Sequence, residues 1–237
     1  SQREWMSILW IAIFGGILGT FFYTKALGYI NYINLSVVVL LQKLQPVFAI
    51  ALSSIILKEK LSKRFIGLAI VAILGGYLVT FGSASTLVWN DKAIIASLLA
   101  ILSAFCWGSS TVLGKHALKI LPYEAVTSLR LSLTALFALI VLFATSETTT
   151  VLYLTTIQWQ RVIMIVFSSG AVALAIYYYG LEKLPASHTT IYELAWPLSA
   201  VALDWIIRGQ LLSTFQIFGA LMLLVSMVIL SRESYDN

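Results

Sequence analysis

Charge is scarce in this sequence. Its 237 residues hold fifteen Lys and Arg and ten Asp and Glu, 11% of the chain, against about 25% in an ordinary soluble domain. So few charges cannot cover the surface of a soluble fold of this size. Cysteine and histidine are rarer still, limited to Cys106, His116 and His188. One cysteine excludes a disulfide framework, and these scattered ligands make no zinc set. No phosphate-binding Walker loop, dinucleotide fingerprint or His-Glu-x-x-His is present, so nothing points to a nucleotide-driven pump, a zinc protease or a bound cofactor.

Apolar residues fill the gap, at 60% of the chain. Residues 5–24, 65–90, 93–114, 162–181 and 209–231 contain no Asp, Glu, Lys or Arg. Residues 26–57 and 125–146 contain one each, and 184–207 two. A bilayer core takes about 20 apolar residues per helix, so the pattern predicts an all-α polytopic membrane protein with eight transmembrane helices. The net charge of +5 would suggest nucleic acid only if it formed one basic face. Here the basic residues occupy short loops, and the expected partner is the lipid bilayer.

Those loops set an orientation. Arg3, Lys58, Lys60, Lys63, Arg64, Lys115, Lys119, Lys183 and Arg232 fall on one side, and Lys25, Lys92, Arg161 and Arg208 on the other. Positive-inside bias puts the richer side, with both chain termini, in the cytoplasm. This fits an inner or plasma membrane. Trp5, Trp89, Trp159 and Trp205 fall near span ends, where indole rings favour the interface. Trp107 and Trp196 do not.

The sequence also repeats itself. Residues 46–56 (PVFAIALSSII) and 197–207 (PLSAVALDWII) share six of eleven positions. The same offset pairs Ile30 with Leu181, Ile33 with Leu184 and Ser36 with Ser187. An offset of 154 pairs Gly16 with Gly170 and Tyr23 with Tyr177, and one of 152 pairs Gly67 with Gly219. The two Pro-containing spans are the second and the seventh, so the copies cross the membrane in opposite directions, as in many secondary transporters. Only one span precedes the first Pro span, whereas three precede the second within its copy. The expectation is a ten-helix fold of two inverted five-helix repeats. Residues 1–90 would be the last three helices of the first repeat, and 91–237 the complete second repeat. A natural eight-helix variant is the alternative.

These motifs resemble the drug/metabolite transporter superfamily, in its EamA-like branch. The likeness rests on Ala26-Leu27-Gly28-Tyr29-Ile30, Leu41-Gln42-Lys43-Leu44-Gln45-Pro46-Val47-Phe48, and Glu59-Lys60-Leu61-Ser62 with Gly67. In the second half it rests on Cys106 to Lys115, Ser128-Leu129-Arg130-Leu131 and the segment around Pro197. It covers nearly the whole chain. The resemblance implies a permease that moves a small organic solute, commonly exporting amino acids, amines, nucleosides or drugs. Related branches carry nucleotide sugars or sugar phosphates.

Ionisable groups inside spans mark functional sites by default. Lys43 lies near the middle of its span, suited to an anionic group or a carboxylate; a structural pair is the plainer alternative. Glu193, four residues before Pro197, could pair with Lys43, carry a coupling proton or hold a substrate amine. Pro46 and Pro197 each remove a helical hydrogen bond, as cavity-lining breaks or as ordinary kinks. Gln42, Gln45, Trp107, Ser109, Ser110, Tyr192 and Trp196 complete a candidate substrate pocket, against the alternative of interhelical packing. Arg130 reads as a snorkelling side chain near a span end. Gly15-x-x-x-Gly19 suits helix packing or a homodimer face.

The leading reading is thus a secondary transporter, exporter or exchanger, working by alternating access with a proton as candidate coupling ion. Its rivals are a non-transporting receptor or structural subunit, which would bind a solute without flux, and a membrane-embedded enzyme. The enzyme would need nucleophile, acid and base gathered at one place, and the intramembrane charges fall on separate helices.

Overall fold

The computed structural model describes residues 2–29, 35–81, 91–145, 153–208 and 213–233, and among them every regular element is helical. Helix α1 runs through Gln2–Trp10, a π-helical stretch Ile11–Leu18, and Gly19–Leu27. Helix α2 is Leu35–Gln42, and α3 is Gln45–Leu52 with a π-helical end Ser53–Leu57. Then come α4 (Lys63–Phe81), α5 (Asp91–Ala117) and α6 (Tyr123–Ala144). Helix α7 comprises Thr156–Ile165, a π-helical Val166–Gly170 and Ala171–Lys183. Helices α8 (Ala186–Tyr192), α9 (Ala195–Arg208) and α10 (Thr214–Glu233) complete the order. Trp89, Ile30 and Ile33 lie outside the described residues, as do the side chains of Pro197 and Trp205.

Among the described residues, four helices are long and apolar enough to cross a bilayer: Glu4–Leu27, Asp91–Ala117, Tyr123–Ala144 and Thr156–Lys183. The other expected spans correspond to α2 with α3, to α4, to α8 with α9, and to α10. Leu139, Ile140, Phe143, Ile163, Ile165 and Phe167 point outward on α6 and α7. An apolar surface of that extent belongs in lipid, where only internally hydrogen-bonded helices or closed barrels persist.

The charge-poor spans are broken at two places, and both breaks carry an ionisable residue. Helix α2 stops at Gln42 and α3 restarts at Gln45, with Lys43 and Leu44 forming the turn. Pro46 follows at the start of α3, where its missing N–H costs nothing. Helix α8 stops at Tyr192 and α9 restarts at Ala195, leaving Glu193 and Leu194 in the turn. The two broken helices lie antiparallel. Gln45 at the start of α3 meets Glu193, while Glu59 beyond its end meets Ala186 and Ser187 at the start of α8.

Small residues bring the helices close. A Cβ on Gly15 would lie 2.6 Å from Ser110 Oγ, and one on Gly19 would lie 2.6 Å from Trp107 Nε1. The Gly15-x-x-x-Gly19 face of α1 is thus used inside the fold, against α5. Helices α4 and α10 cross at Gly75 and Gly219, where a Cβ on either would lie 2.7 Å from the other's carbonyl oxygen. Gly67, which the sequence offset pairs with Gly219, has open space around it.

Candidate functional site

The two breaks face a common chamber. A cavity of about 510 Å³ lies between them, and α5 contributes Trp107 to its lining. Lys43 and Gln42 enter from the first break and Gln45 and Pro46 from the start of α3. Glu193 and Tyr192 enter from the second break and Trp196 from α9. Eight of the expected residues therefore meet in one place. Ser110 lines an adjoining cavity instead. Ser109 is in neither lining: it accepts from Trp10 Nε1 at 3.0 Å and donates to the Cys106 carbonyl. Adjacent helix residues point about 100° apart, since a turn takes 3.6 residues; both serines are buried, and Ser110 is the one that faces a cavity.

Glu193 is the most heavily bonded group of the chamber. Its carboxylate accepts from Tyr177 Oη at 2.9 Å, from Thr111 Oγ1 at 3.4 Å and from Gln45 Nε2. Gln42 Nε2 donates in turn to Gln45 Oε1 at 3.1 Å, so the amides continue the chain toward the first break. Lys43 takes a different partner. Its ammonium sits 4.2 Å from the centre of the Trp196 ring, a cation–π contact that compensates part of its desolvation. The two charges share the chamber without forming an ion pair.

Aromatic rings make up much of the wall. Tyr23, Trp107, Tyr177, Tyr192 and Trp196 all line it. Tyr23 and Trp107 pack with ring centres 5.5 Å apart, and Trp107 Nε1 donates to the Gly15 carbonyl at 3.2 Å. Tyr23 and Tyr177 were visible in the sequence as a repeat pair but not as site residues. Their pairing at one offset was the signal. Thr190 was also missed. Its Oγ1 and Tyr192 Oη are buried with no hydrogen-bond partner in the structure, an arrangement that costs about 1–3 kcal/mol per group. Both belong to residues lining the chamber.

The adjoining cavity, of about 230 Å³, shares Gln45, Trp107, Tyr177 and Glu193 with the first and adds Arg130, Thr111 and Leu174. Arg130 does not snorkel. Its Nη1 donates to Tyr178 Oη at 2.9 Å, directing the guanidinium into the bundle.

An interior chamber of rings, amides and two opposite charges, walled by broken apolar helices, defines a polytopic membrane transporter of small molecules. The chain belongs to the EamA-like transporter family, whose model matches residues 1–81 and 94–232. It is 39% identical over 223 residues to the riboflavin transporter ImpX of Fusobacterium nucleatum subsp. nucleatum, covering 94% of this chain and 75% of that protein. It is 24% identical to the protein LicB of Haemophilus influenzae, over 97% of this chain and 77% of that one. An uncharacterized transporter of Methanothermobacter thermautotrophicus is 27% identical over 115 residues, 48% of this chain and 32% of its own. A solved crystal structure superposes with a TM-score of 0.70 at 18% identity, covering 95% of this chain and 75% of the other. That likeness speaks to the fold alone.

Proposed function

We propose that this protein is an alternating-access carrier of a flat, polar heteroaromatic solute, with riboflavin the first substrate to test. The observation that carries the reading is the chamber itself. Five aromatic side chains surround a volume within the range of about 300–1,000 Å³ that small-molecule sites occupy. A planar ring system gains from stacking on such faces, whereas an amino acid or simple amine needs fewer. The buried hydroxyls of Thr190 and Tyr192, with Gln42 and Gln45, supply the polar groups that fix orientation. The name of the Fusobacterium relative supports the flavin class.

Two inverted repeats supply the mechanism in this reading. The antiparallel broken helices support it, and so do the π-helical stretches. Shifting Val166–Gly170 back by 154 places it on Ala12–Gly16, within the π-helical part of α1. Eight spans in the chain, both termini cytoplasmic, follow from the charge count, and the five-helix second repeat implies a ten-helix fold. Lys43 and Glu193 serve the substrate chamber, and the breaks beside Pro46 and Pro197 are the points where its walls bend. Export or exchange is the direction that the resemblance implies, with Glu193 as the site of proton coupling.

Reconstitution of the chain into vesicles tests this. Flavin fluorescence, which stacking on Trp and Tyr quenches, reports binding, and flux of labelled riboflavin reports transport. Lys43→Met and Glu193→Gln should each lower flux by roughly tenfold, the worth of about one lost charge-assisted contact. Normal flux in both variants would remove the site assignment. Binding without flux in the unsubstituted protein would favour a receptor.

A further inference from the structure

Glu193, Tyr177, Gln45 and Trp107 line both cavities, so the partition between them is a single layer of side chains. Ser110 and Thr111 follow Trp107 by three and four residues on α5, which places the second cavity about 5 Å further toward the end of that helix. There Arg130 faces the space. Gly15 leaves room for it: a Cβ at that position would lie 3.0 Å from Nη2. Of the five donors on a guanidinium, one is taken by Tyr178 Oη. Among the described residues Arg130 has no carboxylate in ion-pair contact. Glu193 lines the same cavity, but its oxygens are already engaged by Tyr177, Thr111 and Gln45. Counted together, the two cavities hold Lys43 and Arg130 against Glu193, an excess of one positive charge. An unbalanced charge at that depth costs about 2.5–3.5 kcal/mol on insertion scales, and a singly anionic ligand group would balance it.

We propose that the Arg130 cavity is a subsite for an oxyanion, a phosphate or carboxylate, held by the free donors of the guanidinium one layer beyond the aromatic chamber. A guanidinium fork matches such groups in shape as well as charge. The proposal deepens the flavin reading, because it makes the phosphate ester of riboflavin a better ligand than riboflavin. The charge argument stands apart from the flavin ring.

Fluorescence titrations with riboflavin, riboflavin 5′-phosphate and inorganic phosphate test it on the full chain. The phosphate ester should bind about tenfold or more tighter than riboflavin, the scale of one charge-assisted contact. Arg130→Met should abolish that preference while leaving riboflavin affinity within about twofold, and Arg130→Lys should retain part of it. Displacement of the ester by inorganic phosphate would assign a free anion as sufficient ligand; failure to displace it would assign a phosphate that the solute must carry. Equal affinity for the two flavins, or a preference that survives in Arg130→Met, overturns the proposal.

If neither flavin binds, the flavin reading fails and a second measurement decides the charge. Leu174→Cys lines the same cavity, and Cys106, the native cysteine, is buried. An anionic methanethiosulfonate should modify Leu174→Cys about fivefold faster than a cationic one, through the local potential, and Arg130→Met should remove the difference. The same ratio with and without Arg130 would overturn the subsite.

Discussion

Glu193 draws its three donors from three different helices: Gln45 on α3, Thr111 on α5 and Tyr177 on α7. A proton taken up there would cost the carboxylate acceptor capacity toward those donors, so protonation would loosen contacts between helices that separate in the proposed transport cycle. Glu193→Gln fixes the group in a neutral form of the same size. Riboflavin flux measured across the neutral pH range should therefore lose its pH dependence in this variant. If the dependence persists unchanged, another group couples the proton. Lys43 and Glu193 were legible in the sequence because a charge in an apolar run needs a reason. Arg130 was misread because sequence depth gives the distance from a span end and not the direction of the side chain. The same blindness to helix azimuth made Ser109 and Ser110 equivalent on paper. One of them holds Trp10, and the other faces the second cavity.

At the scale of elements, the crossing of α4 and α10 rests on two glycines whose backbones touch. Gly219→Val would force a side chain into Leu78 and Val79, and overpacking of this kind costs about 1–3 kcal/mol. The melting temperature of the detergent-purified protein should fall by several degrees. Gly67 is on the same helix as Gly75 but faces open space. There Gly67→Ala should leave the melting temperature unchanged or raise it, since Ala is the better helix former by about 1 kcal/mol. Opposite signs at two helical glycines distinguish packing from propensity, and a fall of equal size in both variants would refute the close crossing. The sequence offset had paired Gly67 with Gly219. An offset between copies pairs equivalent positions and does not locate a contact, whereas the helix breaks were legible because proline and a charge marked each of them.

Among the described residues, polar contacts fasten the helices to one another at one end of the molecule. Glu59, in the turn after α3, accepts from the backbone N–H groups of Ala186 and Ser187 at 2.8 and 3.1 Å. Lys115 at the end of α5 donates to the Leu181 and Glu182 carbonyls that close α7, at 2.9 and 2.8 Å. Beneath these fastenings lies a packed plug that includes Val112, Leu118, Val126, Tyr178 and Leu181. It stands between this end and the Arg130 cavity, and its Tyr178 accepts the hydrogen bond from Arg130. This end carries Lys58, Lys60, Lys115 and Lys183, which makes it the cytoplasmic one in the orientation proposed above, and the helices are closed there. In the alternating-access cycle proposed above, the Glu59 contact would have to break at each turn. Glu59→Gln keeps the side-chain length but removes the charge that strengthens both hydrogen bonds, a change worth about 1–2 kcal/mol. That weakening should raise the population open at this end by roughly tenfold. Leu118→Cys, buried in the plug, reports the opening through its labelling by a membrane-impermeant maleimide. Labelling should accelerate by a similar factor when Glu59→Gln is added, and only for reagent supplied from the side of the basic loops. Acceleration from the opposite side would reverse the assigned orientation, and no acceleration from either side would mean that Glu59 braces a fixed structure rather than a moving gate.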